Sequence, residues 1–456
     1  MPQLRSERGS SIAVVESVVA SDIDIGTAPY RRLKPGPGRS AADVTSHQRA
    51  RIDRAMVEIV VERGYDRVTV REIARVAGVS TRAFYEHYSG KEECFLCVHR
   101  DLARRLLRRI EVPAGAASDG GQLRTAVDAI IGWWGLDQEA ARFLFVGPFG
   151  AGSTALKQSR LVDQSLGRRI GRRLDPSAEK GGETTGLIAG GIAVGLGAVM
   201  RSTALNDGDV RSPDLHRALT QWALSCACSR SELAALQGAQ ARVEQKSSSG
   251  QALSSGAAGQ PSSPGDDLTL LYSATVKLAG TGDHGSLTPR RICAAAGVSR
   301  RSFDVNFPDI DGCLVAAAIQ QIDLAIEHVQ RVDERGAAPT STALRHLAGL
   351  CGRVACDPAL AHLCFGDTVQ SSEWQARRDQ LLMGRIAGMF ESAGLATFSV
   401  EQPKAQASLG AILGLLQNEV AAGRAGCVDR KTPALAYLML APTVGKSSAM
   451  EAICEA

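Results

Sequence analysis

The stretch AGVSTRAFYEHYSGKEE, residues 77–93, decides the fold of the region around it. Gly78 follows the segment VREIARVA and ends a helix there, because glycine readily takes the left-handed conformation found at helix C-termini. Ser80 then offers a side-chain oxygen as the N-cap of the next helix, and Thr69 does the same for VREIARVA. Residues 51–61 carry apolar residues at helical spacing. The pattern predicts a helix-turn-helix braced by a longer first helix.

The third helix of this unit divides its side chains between two faces. Phe84 and Tyr88 lie four residues apart and share the inward face, whereas Thr81, Arg82 and Tyr85 project outward. A DNA duplex presents base edges on the groove floor and phosphates along its walls. Small or basic residues in the first helical turn suit the floor, here Thr81 and Arg82. The donors suited to the phosphates are Tyr85, His87 and Lys91.

Positive charge gathers in the same region. Residues 47–110 contain 14 Arg and Lys against 9 Asp and Glu, and YRRLKPGPGR just upstream adds four basic residues. Arg31, Arg32, Lys34 and Arg39 could form an arm along a groove, or a solvated tail.

At these residues the sequence resembles the TetR family of bacterial transcriptional regulators. GVSTRAFYEHYSGKEECF resembles the typical recognition region GVSxxxxYxHFxxKEEL, and the lead-in ERGYDRVTVREIARVAGVS is similar as well. The resemblance implies that Tyr85, His87 and Lys91 contact phosphates, that Thr69 holds the second helix on the backbone, and that the first turn of the third helix reads bases. Glu86 departs from the pattern, because a carboxylate beside phosphates repels them unless it turns away. The predicted DNA-binding residues are Thr69, Arg71, Ser80, Thr81, Arg82, Tyr85, His87 and Lys91.

Each of these residues also has a purely structural interpretation. Thr69 and Ser80 can act as N-caps alone, His87 can be a partly buried surface residue, and Tyr85 can pack at the rim. Their joint spacing within a helix-turn-helix favours contact with DNA.

The chain repeats itself. AGVSTRAF at 77–84 returns as AGVSRRSF at 296–303, an offset of 219, and later matches such as Asp137 with Asp357 and Pro213 with Pro433 lie at 220. With few aromatic residues and many Ala and Leu, the composition favours helices. We predict an all-α protein in which a helix-turn-helix head and a helical ligand-binding and dimerisation core are duplicated in tandem.

The predicted organisation has six parts. These are a flexible basic N-terminal tail (1–46), a helix-turn-helix DNA-binding domain (47–95), a helical core (96–235), a flexible Ser/Gly/Pro-rich linker (236–265), a degenerate helix-turn-helix (266–314) and a second helical core (315–456).

The second copy keeps the inward aromatic residues but changes the outward ones. Asp304, Asn306 and Ile310 stand where the first copy has a Tyr, a His and a Lys, while Phe303 and Phe307 retain the inward pair. Residues 266–329 contain 5 basic and 8 acidic residues, so the attraction to phosphates is weak or repulsive there. The base-reading turn nevertheless carries Arg300 and Arg301. We predict that this head does not bind DNA strongly.

One competent head per chain favours a homodimer that reads a palindromic operator, with a single chain reading an asymmetric half-site as the alternative. The small residues Gly186, Gly190, Gly191 and Gly195 allow a close approach of two helices, as a dimer contact or equally as an internal core helix. The aromatic residues Trp133, Trp134, Phe145 and Phe149 are candidates for binding a small apolar effector, although a plain core explains them at least as well.

Other classes of site find little support in the sequence. The eleven Cys residues, which include Cys94 and Cys97, show neither a disulfide framework nor a four-ligand zinc pattern, so no metal or cofactor is predicted. No paired acid and base or activated nucleophile indicates an enzyme. The N-terminus does not resemble a secretion signal, and the apolar run 187–200 is short for a membrane span, which predicts a cytoplasmic location.

Together these features predict a DNA-binding transcriptional regulator, a repressor released by a small apolar effector. The alternative is a protein-interaction or scaffold module that keeps the regulator fold without binding DNA.

Overall fold

The computed structural model describes residues 41–110, 119–174, 182–206, 208–248, 267–280, 287–331, 338–369, 371–395 and 398–455. Regular structure within these ranges is helical, which confirms the predicted all-α class. The chain divides into two compact units, one that ends at His99 and one from Arg100 to the C-terminus.

The first unit is the predicted helix-turn-helix. Its helices are α1 (Ala41–Arg63), α2 (Val70–Ala77), α3 (Thr81–Tyr85) and the start of α4 (Lys91–Ile110). Apolar side chains from all four meet in a core in which Ile52, Ile73, Phe84 and Phe95 are almost fully buried. The apolar stripe of α1 therefore braces the two short helices, as its spacing predicts.

The boundary of the N-terminal tail differs from the prediction. Residues 41–46, placed in the tail, belong to α1, whose first turn carries Asp43 at the end of the helix dipole that favours an acidic side chain. Residues 1–40, with the candidate basic arm, lie outside the described residues.

The second unit contains two successive series of helices. The first series continues from α4 with α5 (Asp119–Leu136), α6 (Gln138–Phe145), α7 (Ser153–Leu174), α8 (Glu183–Leu205), α9 (Pro213–Ser225) and α10 (Arg230–Ser248). The second comprises α11 (Asp267–Ala279), α12 (Pro289–Ala296), α13 (Arg300–Asn306), α14 (Ile310–Arg331), α15 (Pro339–Cys356), α16 (Pro358–Phe365), α17 (Ser372–Ser392), α18 (Pro403–Ala421), α19 (Thr432–Val444) and α20 (Lys446–Glu455).

Helices α11 to α20 follow the same order along the chain as α1 to α10. Helix α13 begins 219 residues after α3, and α18 begins 220 residues after α8. These offsets equal those of the sequence repeat. The tandem duplication itself stays a prediction.

The predicted linker begins too early. Residues 236–248 belong to α10, where Leu236 and Ala239 are buried, so this stretch is held by packing. The remainder of the predicted linker, 249–265, lies outside the described residues.

Helix α8 is the centre of the second unit. It packs most extensively against α18, and with α9 and α19 these helices form a four-helix contact between the two series. Helix α8 is long and apolar enough to span a bilayer by length and composition, but 72% of its apolar window is buried inside the protein. A core helix passes this test equally well, so the finding is weak evidence for a membrane span.

Candidate nucleic-acid interface

Two side-chain caps and one glycine hold the helix-turn-helix in shape. Thr69 Oγ1 accepts a hydrogen bond from the Glu72 amide at 3.2 Å, and Ser80 Oγ accepts one from the Ala83 amide at 3.1 Å. Gly78 has a φ of 63°, in the left-handed region. Each cap contributes about 1 kcal/mol to the stability of its helix. The predicted starts of α2 and α3 and the stop at Gly78 are confirmed.

The inward face of the recognition segment is anchored by Phe84 and Tyr88. Their side chains are 0% and 3% exposed, and their ring centroids lie 5.8 Å apart. The Tyr88 hydroxyl donates to Asp53 and accepts from Arg49 Nε at 3.1 Å, both on α1. Burial, followed by the nearby Asp53 carboxylate, raises the pKa of Tyr88 far above its usual value. The neutral hydroxyl therefore links the recognition segment to α1.

The outward face is open. Tyr85 is 58% exposed, and the side chain of Arg82 is 91% exposed. Ser80 and Thr81 at the start of α3 are also exposed, as is Arg71 on α2. The first unit thus offers exposed hydroxyl, phenol and guanidinium donors on α2 and α3, the groups that bind phosphate and base edges.

Glu86, the departure from the family pattern, is paired within α3 and its C-cap. Its carboxylate lies 3.4 Å from Arg82 Nε, four residues away on the helix. Both groups are exposed, and such a pair contributes only about 0.3–0.5 kcal/mol. A phosphate can therefore compete for Arg82 at small cost.

His87 is half-buried beside the exposed face. Desolvation by burial, followed by the positive charge of Arg49, lowers its pKa from the usual 6.5, so the imidazole is neutral at pH 7. A neutral imidazole offers one N–H to a phosphate rather than a full charge.

Lys91 has structural contacts in addition to its predicted role at a phosphate, which stays a prediction. Its Nζ donates to the main-chain carbonyl of Val68 at 3.1 Å and to that of Tyr65 at 3.4 Å, and it lies 4.4 Å from the centre of the Tyr65 ring. The ammonium has three donors, so these contacts leave one for a phosphate. Lys91 thus ties the start of α4 to the segment before α2, which the sequence motif did not reveal.

Two further exposed basic residues, Arg67 and Arg75, were missed. Arg75 follows Arg71 by four residues on α2 and shares its face, a spacing that the sequence already contained.

The second helix-turn-helix keeps the frame of the first. Thr288 and Ser299 cap α12 and α13, Gly297 has a φ of 68°, and Phe303 and Phe307 are buried. The outward face is different, because Asp304 Oδ1 accepts from Arg300 Nε at 2.8 Å. One of the two basic residues of its first turn is therefore paired with a carboxylate, in an exposed pair of the same kind as that of Arg82 with Glu86.

The candidate effector residues lie in the core of the first helical series. Trp133, Trp134 and Phe145 are buried, and the last two stack with their ring centroids 4.7 Å apart. Phe149 lies under the guanidinium of Arg201 at 4.4 Å. A cavity of about 320 Å³ lies elsewhere, lined by Arg124, Asp128, Pro213, His216, Arg217, Thr220 and Gln221. Effector binding by the aromatic residues stays a prediction.

The cysteines and metal-ligating residues add no further site. All eleven Cys thiols are unpaired, and burial raises the pKa of several of them, Cys228 to about 12. Among the described residues there is no group of three or more His, Cys, Asp or Glu side chains that could hold a metal ion.

Residues 53–98 match the family model described as "Bacterial regulatory proteins, tetR family". The first unit is a TetR-type helix-turn-helix domain. Two curated relatives of this chain are transcriptional regulators. The HTH-type transcriptional activator FasR of Mycolicibacterium smegmatis is 34% identical over 92 residues, which cover 20% of this chain and 42% of FasR. The HTH-type transcriptional repressor AcnR of Corynebacterium jeikeium is 31% identical over 102 residues, 22% of this chain and 51% of AcnR. The chain spans about half the length, or less, of these curated relatives.

Solved structures of TetR-like regulators also match. The fatty acid degradation regulator FadR of Bacillus halodurans has a TM-score of 0.34 at 19% identity, covering 38% of this chain and 96% of that one. A TetR-like regulator from Rhodococcus sp. RHA1 has a TM-score of 0.33 at 21% identity, covering 41% and 99%. Both curated relatives are named as transcriptional regulators.

Proposed function

We propose that this protein is a DNA-binding transcriptional regulator whose TetR-type domain grips its operator with the outward face of α3. The observation that carries the proposal is the separation of roles on one short segment. Phe84 and Tyr88 are buried in the core of the first unit and fix α3 in place, whereas Thr81, Arg82 and Tyr85 are exposed. Arg67, Arg71 and Arg75 add positive charge on the same unit, and phosphate attraction supplies much of DNA affinity.

Selection of bound fragments from random duplexes tests the proposal. The intact protein should enrich one sequence motif, and the Tyr85→Ala variant should lose most of that enrichment. Val305→Ala is the matched control, because Val305 is 77% exposed on α13 of the second head and carries no donor. If the wild type enriches no motif even in dilute buffer, the interaction-module alternative becomes the better account.

We further propose that the second helix-turn-helix, which we regard as a copy of the first, contributes little to DNA binding. Its outward face carries Asp304 at the position of Tyr85 and Asn306 at the position of His87, so a phenol is replaced by a carboxylate that repels phosphates. In the full chain, Arg82→Ala should weaken operator binding by about tenfold, the loss of one charge-assisted hydrogen bond. Arg301→Ala should leave the affinity unchanged. An equal loss of operator affinity in the two variants would show that the second head contributes as much to DNA binding as the first.

We propose that the protein represses transcription and that a small apolar effector relieves this repression. The names of the two relatives give both an activator and a repressor, so the sign is tested separately. The support for an effector site is the stacked pair Trp134 and Phe145, which lies beside Gly197 of α8. Reporter expression with and without the gene tests the sign. A lower signal in its absence would contradict repression.

A further inference from the structure

The strongest unexplained feature of the second unit is the way α8 and α18 fit together. At the offset of 220 that relates these helices, position 194 of α8 corresponds to position 414 of α18. The two corresponding positions contact each other in the structure. A Cβ atom on Gly414 would lie 2.0 Å from Cγ1 of Val194. The Val194 side chain therefore fills the space that the missing Gly414 side chain leaves.

Corresponding residues that touch each other lie on the local two-fold axis of a pair. In a symmetric pairing of two first series, Val194 would occupy both sides of this contact. The 2.0 Å separation shows that a second Val side chain has no room there. In a pairing of two second series, glycine would face glycine and leave a void, which costs the contacts of a buried valine.

A second contact, between Gly191 and Leu438, opposes a pairing of two second series. A Cβ atom on Gly191 of α8 would lie 2.3 Å from Cδ1 of Leu438 on α19. The corresponding residue of α18 is Ala411, whose methyl group would force a leucine in that position to shift. A pairing of two second series is therefore opposed here by overlap, and only the mixed pairing suits both contacts.

Polar contacts between the two series also require one series of each kind. Trp222 Nε1 on α9 donates to Ser408 Oγ at 2.9 Å, and this hydroxyl donates to the carbonyl of Leu438 at 2.9 Å. Trp222 and Ser408 are 0% and 1% exposed. The residue of the first series that corresponds to Ser408 is Ile188, which has no acceptor. A pairing of two first series would leave the buried indole N–H without its partner.

The rim of the surface shows the same selectivity. Gln406 Nε2 donates to Ser202 Oγ at 2.8 Å, and Arg160 pairs with Asp367. At the offset of 220, Gly186 corresponds to Gln406 and Gly147 to Asp367. A pairing of two first series would lose both contacts.

We infer that the four-helix surface of each series is specific for the other series, so that the chain closes its own dimer-like contact and exists as a monomer with one competent DNA-binding domain. The predicted homodimer cannot use the glycine stripe of α8, because α18 and α19 of the same chain cover Gly190 and Gly191. The statement about one competent domain rests on the proposed function, whereas the pairing does not.

Exchanging the valine and the glycine between positions 194 and 414 tests the pairing of the two series without DNA. The variants of the full chain are Val194→Gly, Gly414→Val and the double variant, each followed by denaturant unfolding and sedimentation. Gly414→Val should shift the unfolding midpoint most, since it forces two Val side chains into one space. The double variant should recover most of that shift, because the valine then sits on α18 and its space on α8. Additive shifts in the double variant would overturn the inference.

Sedimentation of the wild type should give the mass of one chain, 48.0 kDa, across the accessible concentration range. A particle of twice that mass would overturn the monomer. A duplex with one half-site should then bind one chain. If the protein sediments as a monomer and the double variant recovers but no duplex is bound, the pairing stands and the proposed function fails alone.

Discussion

At the scale of single residues, two tyrosines three positions apart have opposite roles. Tyr85→Phe removes an exposed hydroxyl, so we expect weaker DNA binding by about tenfold with unchanged stability. Tyr88→Phe removes the hydroxyl that joins Asp53 to Arg49, so we expect a loss of about 1 kcal/mol in the free energy of unfolding. Gel shifts and denaturant unfolding measure the two effects. A stability loss at Tyr85 equal to that at Tyr88 would contradict the assignment of faces.

Gly78 ends α2 with a backbone conformation that other residues resist. Alanine at a φ of 63° costs about 1–2 kcal/mol, so Gly78→Ala should lower the free energy of unfolding of the first unit by that amount. Gly78→Asn is the control, because asparagine tolerates this conformation better and should cost less. Steric overlap would not distinguish the two, since the nearest atom to an added Cβ is Arg51 Nη1 at 3.5 Å. An equal loss for both variants would count against the conformational explanation.

The lowered pKa of His87 has a consequence for stability against pH. The folded protein keeps the imidazole neutral at a pH where the unfolded chain takes up a proton, so protonation favours unfolding. The contribution of neutral His87 to the free energy of unfolding is therefore fully present above pH 6.5. It is lost as the pH falls from 6.5 toward the lower pKa of the folded protein. We expect wild-type stability to fall more steeply from pH 7 to pH 5.5 than that of His87→Gln. Parallel curves would contradict the desolvation of His87.

The local part of this site could be predicted from the sequence, and the tertiary part could not. The caps Thr69 and Ser80 and the inward pair depend on helix periodicity, which a sequence displays directly. The contacts of Lys91 with Tyr65 and Val68 depend on how α4 meets the segment before α2. A charged side chain at a motif position gives no sign of such a contact.

At the scale of elements, α3 and α13 share a frame and differ in their outward residues. Introducing Asp304→Tyr and Asn306→His on a Tyr85→Ala background should restore part of the DNA affinity, since Arg300 also loses its partner. Each new phosphate contact should steepen the dependence of log K on log salt by about 0.9. Affinity measured at several salt concentrations gives this slope. An unchanged slope would show that the weakness of the second head lies outside these positions.

The glycine stripe of α8 shows the limit of periodicity at this scale. Small residues four apart predict that another helix approaches closely, which the structure bears out at Gly191 and Gly195. The identity of that helix depends on the shape of the opposing surface. A Cβ atom on Gly167 of α7 would lie 3.0 Å from the Gly190 backbone, whereas Cβ atoms on Gly190 and Gly191 would meet Leu415 and Leu438 of the second series.

At the scale of the whole molecule, the two helical series of the second unit should unfold together, because they share one core. A methyl group on Gly195 would lie 2.5 Å from the Trp222 ring and 2.6 Å from the Ala407 carbonyl oxygen. Gly195→Ala should therefore cost about 1–3 kcal/mol. Gly186→Ala is the matched control, because no atom lies within 4 Å of its added Cβ, and the better helix former should stabilise α8 by up to about 1 kcal/mol.

Circular dichroism of the full chain measures both variants, with Trp fluorescence as a second probe. The loss for Gly195→Ala should appear at the same denaturant concentration by both probes. Separate transitions for the two series would contradict a shared core. The sequence revealed the repeat and the fold class at this scale, but not the pairing, which depends on side chains more than 200 positions apart.

The contact between Val194 and Gly414 also affects how the protein can evolve. In an assembly of identical subunits, one codon change alters the interface twice, and a larger residue on the symmetry axis meets its own copy. Here the two sides of the contact are encoded by different codons, so a change on one side can be accommodated by a different change on the other. Asymmetric features can therefore accumulate in one series while the other conserves the frame that supports them.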